Sequence, residues 1–197
     1  RTSHELALTL QNENQLEAAA QAARTAVDNQ PTEAMYRRTF ATILFGLGRV
    51  DEALAQMAEA QRLAPNDAAL AIEAARFYAA ANRTESAIMA YRQALSLQPD
   101  DAEAHHALAQ LLASADRIPE AIASLQEATR LAPEQATWWI TLARLYLTQG
   151  LRSGAREAYG HAARVLSAIP ENEATEESLA HLGEALLAIG RWQEAAR

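Results

Sequence analysis

Four short segments, each closed by a proline, recur along the chain: AVDNQP at 26–31, AQRLAP at 60–65, ALSLQP at 94–99 and ATRLAP at 128–133. Their prolines are 34 residues apart in every case. Alanines keep the same spacing twelve and five residues before each proline. A fixed period of this length is typical of chains built from stacked supersecondary units. The period therefore predicts a repeat protein.

Within each repeat the apolar residues follow two helical stripes separated by a short polar break. In the third repeat, Ala71, Ala74, Ala75 and Tyr78 have the i, i+3, i+4, i+7 spacing of one helix face, and a second stripe begins at Ala87. The chain has 48 alanines but only 7 glycines and 6 prolines. Because alanine is the strongest helix former, this composition favours closely packed helices. We expect each repeat to consist of helix, turn, helix and proline.

The pattern resembles that of the tetratricopeptide repeat (TPR) family. The fifth repeat carries the family's residues in order: Trp139, Leu142, Ala143, Tyr146, Gly150, Ala155, Tyr159 and Ala162. This resemblance implies an all-α fold, an α-solenoid whose helix-turn-helix units wind into a right-handed superhelix. We expect a single TPR array over residues 1–197. Its repeats are approximately 1–33, 34–67, 68–101, 102–135, 136–175 and 176–197.

The end of the chain departs from the regular period. The proline of the fifth repeat is Pro170, three residues later than the period requires, which predicts a second helix nearly one turn longer. The sixth repeat reaches Trp192 and Ala195 and stops inside its second helix. Solenoid ends normally carry a polar cap, and none is evident here. We therefore interpret the chain as part of a longer protein and expect the uncapped C-terminal end to be a candidate surface for self-association.

The sequence shows no catalytic or metal-binding motif. The absence of cysteine excludes disulfides, thiolate metal sites and thiol catalysis. His105 and His106 are neighbours, so on a helix they point about 100° apart and cannot share one metal ion. HExxH, GxSxG and glycine-rich phosphate-binding motifs are missing. We predict a non-enzyme that needs no cofactor and no metal.

The charge pattern narrows the choice of partners. The net charge is −8, from 25 acidic and 17 basic residues, and every basic residue is arginine. An acidic surface opposes nucleic-acid binding, and no apolar stretch is long enough to insert in a membrane. We predict a protein or peptide partner. The sequence leaves the compartment open between the cytoplasm and the periplasm of a bacterium.

The resemblance also implies which side chains contact a partner. In TPR proteins the first helix of each repeat lines a concave groove, chiefly through its second, fifth, ninth and twelfth positions. The candidate groove residues selected from these positions are Arg38, Thr42, Phe45, Ile72, Arg76, His106, Gln110, Ile140, Arg144 and Leu147. The arginines in this set have no evident acidic counterpart, and arginine binds carboxylates through two parallel hydrogen bonds. We therefore expect the partner segment to be acidic, with solvated arginines as the alternative interpretation.

Two functions remain open at this level. The first is a non-catalytic protein–protein interaction scaffold that binds an extended or helical partner segment in the groove. The second is a structural or spacer TPR region of a larger bacterial assembly. Examples of the second are a cellulose or exopolysaccharide secretion protein and the repeat arm of a sugar-transferring enzyme.

Overall fold

The structure, a computed structural model, describes residues 2–170 and 172–191. Within these residues the chain forms eleven α-helices and no strand. The helices are α1 Ser3–Asn12, α2 Leu16–Asn29, α3 Ala34–Gly46, α4 Val50–Leu63, α5 Ala68–Ala80, α6 Thr84–Leu97, α7 Ala102–Ser114, α8 Ile118–Leu131, α9 Ala136–Thr148, α10 Arg152–Ser167 and α11 Glu176–Ala188. The all-α prediction is confirmed. The second helix predicted for the sixth repeat, with Trp192 and Ala195, and the C-terminal end lie outside the described residues.

The chain divides into two compact units, Arg1–Pro99 and Asp100–Arg197, referred to below as unit 1 and unit 2. Unit 1 contains α1 to α6 and unit 2 contains α7 to α11. In both units, consecutive helices pack as pairs. We call the first helix of each pair an A helix and the second a B helix. The division falls between the third and fourth predicted repeats.

Each described A helix is followed by a residue with left-handed backbone geometry. This residue stands two positions after the last helical residue, for example Gly48 (φ 74°) after α3 and Asn82 (φ 57°) after α5. A positive φ is open to glycine and tolerated by asparagine and aspartate, the only types found here. The full set is Asn14, Gly48, Asn82, Asp116, Gly150 and Gly190. From Asn14 to Gly150, these residues turn the chain from an A helix towards the B helix that follows.

Small side chains form the contact between paired helices. Ala41, Ala75 and Ala143, which occupy one repeated position of the A helices, are all fully buried. Larger residues such as Leu44 in unit 1 and Leu125 in unit 2 fill the remaining interior. Since alanine has no side chain beyond Cβ, the helix axes approach closely at these points. This explains why alanine recurs at the repeat period.

The proline that closes a repeat presents its carbonyl oxygen to a side-chain donor. Arg37 Nε donates to Pro31 O at 2.9 Å, and Trp139 Nε1 donates to Pro133 O at 2.9 Å. In the third repeat the corresponding A-helix residue is Ala71, which has no donor, and Gln93 Nε2 from α6 donates to Pro65 O at 2.9 Å instead. Three different side chains therefore satisfy the same backbone acceptor.

The second helix of the fifth repeat is longer than those of the other repeats, although by less than the sequence predicts. Helix α10 has 16 residues, whereas α4, α6 and α8 have 14 each. The predicted extension of nearly one turn is thus about half a turn, because one turn takes 3.6 residues. The remaining inserted residues belong to the segment between α10 and α11.

Candidate interaction face on the A helices

Helices α1, α3 and α5 form an open hollow of about 320 Å³ in unit 1. Its lining combines exposed apolar side chains with charged and polar groups. The lining residues are His4, Leu8, Gln11, Met35, Arg38, Thr39, Thr42 and Glu73. Of the predicted groove residues, Arg38 and Thr42 lie in this lining. We call this surface the A face of unit 1.

The first predicted arginine, Arg38, forms an ion pair with an acidic residue of the chain. Arg38 Nε lies 2.6 Å from Glu73 Oε2, so helices α3 and α5 are joined by an ion pair across the hollow. Thr42 Oγ1 donates to the carbonyl oxygen of Arg38 at 3.0 Å. The expectation that Arg38 lacks an acidic counterpart is therefore wrong. Glu73 is the sixth residue of its helix, a position that the groove pattern does not include.

The other predicted residues of unit 1 lie outside the lining of this hollow. The rings of Phe45 and Phe77 are tilted by 57° with centroids 4.8 Å apart, and both are half-buried. Ile72 is half-buried on α5. Arg76 is exposed and makes no hydrogen bond or ion pair with any residue that the structure describes. Unit 1 thus carries an exposed guanidinium group on α5, the helix whose Phe77 packs against Phe45.

One histidine that the sequence analysis did not assign to the site, His4, forms part of its wall in unit 1. The His4 ring stacks on Tyr36 with centroids 4.6 Å apart, and His4 Nε2 lies 3.0 Å from Thr39 Oγ1. His106 stands in the same relation to Trp138 in unit 2, with centroids 4.6 Å apart. His4 and His106 are three repeats apart in sequence, which is the signal that could have identified His4.

Helices α7 and α9 border a corresponding hollow of about 310 Å³ in unit 2, the A face of unit 2. It is lined by His106, Ala109, Gln110, Ala113, Leu125, Thr141 and Leu145. The predicted residues His106 and Gln110 lie in this lining. Burial lowers the pKa of His106, an effect only partly opposed by the nearby charge of Glu103. The imidazole is therefore uncharged at neutral pH, and the hollow has no charged side chain in its lining.

A second ion pair engages the arginine predicted at the end of unit 2. Arg144 Nε and Nη2 donate to Glu184 Oε1 and Oε2 at 2.9 and 2.5 Å, and Tyr159 Oη donates to Glu184 Oε1 at 2.9 Å. Hydrogen bonds from Arg144 and then Tyr159 lower the pKa of Glu184, against the opposing effect of burial. This network joins α9, α10 and α11. The absence of an acidic counterpart, predicted for Arg144, is also wrong.

The two apolar residues predicted in the fifth repeat behave differently. Ile140 is only 1% exposed and belongs to the core of unit 2, so it is not accessible to a partner. Its predicted role as a groove residue is therefore wrong. Leu147, near the end of the same helix, is 49% exposed. Helical periodicity alone did not reveal that other core residues of unit 2 pack over Ile140.

The described residues contain neither a cluster of three or more His, Asp or Glu side chains able to hold a metal ion, nor a helix long and apolar enough to cross a membrane.

Family models for the tetratricopeptide repeat match the sequence at residues 4–68, 44–111 and 78–139, together well over half of the chain. The chain belongs to the tetratricopeptide repeat family. A comparison with curated protein sequences found no significant match.

Solved structures with the same fold share little sequence with the chain. A MamA structure is 15% identical and superposes with a TM-score of 0.77, covering 88% of this chain and 94% of that chain. YrrB, described as a TPR protein with an unusual peptide-binding site, is 19% identical with a TM-score of 0.70, covering 84% and 86%. PilF of Pseudomonas aeruginosa is 17% identical with a TM-score of 0.68, covering 98% and 85%. These similarities concern the fold.

Proposed function

We propose that the chain is a non-catalytic scaffold that binds an extended or helical segment of a partner protein on its A helices. The observation that carries this proposal is the pair of open hollows on the A faces, of about 320 and 310 Å³, formed at corresponding positions of the two units. Each combines apolar side chains with a few polar groups, as ligand sites commonly do. The peptide-binding site named for YrrB, a protein of similar fold, is consistent with this use of the fold.

Charge favours an acidic group in the segment that contacts unit 1. Arg38 and Arg144 are neutralised by Glu73 and Glu184, so a partner carboxylate would have to displace an existing ion pair at either position. Arg76 has no such partner among the described residues. We propose that a carboxylate of the segment pairs with Arg76 while an apolar side chain of the same segment contacts Phe45.

A peptide display library gives a defined probe for this proposal. Peptides selected on the intact chain should carry Asp or Glu next to a large apolar residue. Replacing Arg76→Glu should weaken the selected peptides at least about tenfold, equivalent to about 1.4 kcal/mol, since the substitution turns attraction into repulsion. The affinity of the wild-type chain should also fall as salt concentration rises.

Arg62→Glu is the matched control for this experiment. Arg62 is an exposed arginine on the B helix α4, where it pairs with Glu59, so its replacement makes the same change in net charge away from the A face. Equal weakening by Arg62→Glu and Arg76→Glu would assign the effect to net charge and contradict the proposed contact. A chain that selects no saturable peptide would favour the structural spacer instead.

A further inference from the structure

Each unit has another hollow on its opposite surface, formed by two B helices and the A helix between them. In unit 1 it measures about 460 Å³ and is lined by Arg24, Val27, Asp28, Pro31, Arg37, Phe40, Leu44, Glu52, Ala55 and Gln56. In unit 2 it measures about 440 Å³ and is lined by Gln126, Thr129, Arg130, Pro133, Trp139, Leu142, Tyr146, Gly154, Glu157, Ala158 and His161. Every lining residue of unit 1 has its counterpart, three repeats later, in the lining of unit 2. We call them the B hollows.

The B hollow of unit 1 contains two arginines of the chain itself. Arg24 places its Cζ atom 5.9 Å from the ring centroid of Phe40, within the range of a cation–π interaction. Arg37 donates through Nε to Pro31 O at 2.9 Å and through Nη1 to Gln56 Oε1 at 3.0 Å. In unit 1, therefore, the B hollow already contains guanidinium groups, which the chain's own arginines provide.

In unit 2 the two arginines are replaced by Gln126 and Trp139. The Trp139 indole stacks on the His161 ring with centroids 4.2 Å apart and an interplanar angle of 11°. Gln126 Nε2 donates to the hydroxyl oxygen of Tyr146 at 2.7 Å. The ring of Tyr146 is the third ring in the wall of this hollow, after those of Trp139 and His161. Unit 1 folds with Arg37 and Leu44 at the positions of Trp139 and Tyr146. Aromatic rings are therefore not a requirement of the repeat at these positions.

One carboxylate in the unit 2 hollow has no ion-pair partner among the described residues. Glu157 is exposed and makes no hydrogen bond or ion pair with the described residues, and its counterpart in unit 1 is Ala55. The charge of Arg130 is balanced by Glu127, whose Oε2 lies 2.8 Å away. Burial, followed by the charge of Arg164, lowers the pKa of His161 against the opposing charge of Glu157, so its ring is uncharged at neutral pH. Arg164 Nη2 lies 2.9 Å from His161 Nδ1, beside this lining residue. The hollow therefore combines aromatic walls with a carboxylate that no described residue pairs.

We infer that the B hollow of unit 2 binds an arginine side chain from a segment of another protein, placed among Trp139, Tyr146 and Glu157. A guanidinium group can stack on aromatic rings and pair with a carboxylate through two hydrogen bonds, which an ammonium group cannot do. The bound arginine would bring to this hollow the guanidinium group that Arg24 and Arg37 supply in unit 1. This site lies on a different surface from the A faces and does not depend on the function proposed for them.

The inference can be tested by nuclear magnetic resonance on the isotope-labelled chain, with two blocked tripeptides as probes. Gly-Arg-Gly should produce a saturable shift of the Trp139 indole N–H signal. Gly-norleucine-Gly, which has a side chain of related length without charge, should bind at least about tenfold more weakly. Equal shifts with both probes would overturn the inference and identify an apolar site. The absence of a saturable shift with Gly-Arg-Gly would overturn it as well.

Two test variants can be copied from unit 1, which limits the risk of unfolding. Glu157→Ala introduces the residue that unit 1 has at this position and should weaken Gly-Arg-Gly binding at least about fivefold. Trp139→Arg keeps a donor for Pro133 O, as Arg37 does for Pro31 O, and should abolish binding as followed by the Tyr146 and Gly154 amide signals. The control Glu173→Ala removes a carboxylate from the exposed loop after α10 and should leave binding unchanged. Equal weakening by Glu157→Ala and Glu173→Ala would overturn the specific role of Glu157.

Discussion

Single residues at the ends of the A helices decide whether a pair can form. The turn needs a left-handed residue, and the chain supplies only glycine, asparagine or aspartate at that position among the described helices. Gly46 and Gly48 show how position determines the effect of one residue type. Gly46 is the last residue of α3, whereas Gly48 has a φ of 74° in the turn that follows.

These two glycines give a matched pair of substitutions. Gly48→Ala should lower the free energy of unfolding by about 1 kcal/mol, because an L residue in the left-handed region costs roughly 1–2 kcal/mol. Gly46→Ala should raise it by up to about 1 kcal/mol, since alanine is the better helix former. A Cβ at Gly46 would lie 3.6 Å from Leu16 Cδ1, an ordinary contact. Urea denaturation of both variants checks the prediction, and a change of the same sign in both would contradict it.

At the scale of helices, ion pairs between elements neutralise arginines that the A helices would otherwise present to a partner. Glu184 lies on α11 and receives hydrogen bonds from Arg144 on α9 and Tyr159 on α10. Because its pKa is lowered in the folded state, the carboxylate stabilises the fold above the pKa of the unfolded chain. That contribution is lost as the pH falls through the lowered folded-state pKa.

Glu184→Gln should therefore flatten the acid limb of the stability profile. Unfolded glutamate has a pKa of about 4.3, so the difference in stability between the wild type and the variant should be fully present at pH 7 and shrink as the pH is lowered below that value. Urea denaturation across this pH range provides the measurement, with Glu173→Gln as a control for the loss of an exposed carboxylate. A difference that stays constant with pH would contradict the role of the ionised carboxylate.

The same ion pairs show how far the sequence could predict the site. The period fixed the helix pairs, the alanine contacts and the approximate positions of Arg38, His106 and Gln110, since all of these follow from spacing within one repeat. The partners Glu73 and Glu184 come from the next repeat. Glu73 is the sixth residue of α5, which the groove pattern omits, and Glu184 is the ninth residue of α11, a groove position that was not extended to the sixth repeat. The prediction that Ile140 lines the groove was wrong for a related reason, because the burial of Ile140 depends on packing against other elements. Local spacing identifies which helix face a residue occupies, but not what the neighbouring helix places opposite it.

For the molecule as a whole, the division into two units allows the effect of a destabilising substitution to be assigned to one unit. In repeat proteins each element contacts its neighbours, so stability is approximately a sum of local terms and nearest-neighbour terms. Ala75 is fully buried in unit 1, and a larger side chain there would force its helices apart. Ala69 is exposed on the same helix, α5.

Ala75→Leu should lower the free energy of unfolding by about 1–3 kcal/mol through overpacking. Hydrogen exchange should become faster mainly in amides of unit 1, while Ala69→Leu should leave both units near the wild-type rates. Exchange measured by mass spectrometry on peptides from each unit distinguishes these outcomes. Equal loss of protection in both units would show that they unfold as one cooperative body.

The proline carbonyl at the end of each repeat shows how a sequence can drift while a structure persists. The donors differ in charge, shape and size: they are Arg37, Gln93 and Trp139. Gln93 donates from a B helix, whereas the other two donate from A helices. The carbonyl oxygen at this point needs only an N–H donor, and each of these side chains supplies one. Such degeneracy lets homologous repeats lose recognisable identity one column at a time. The superposition on MamA with a TM-score of 0.77 at 15% identity shows that the fold persists across far larger differences in sequence.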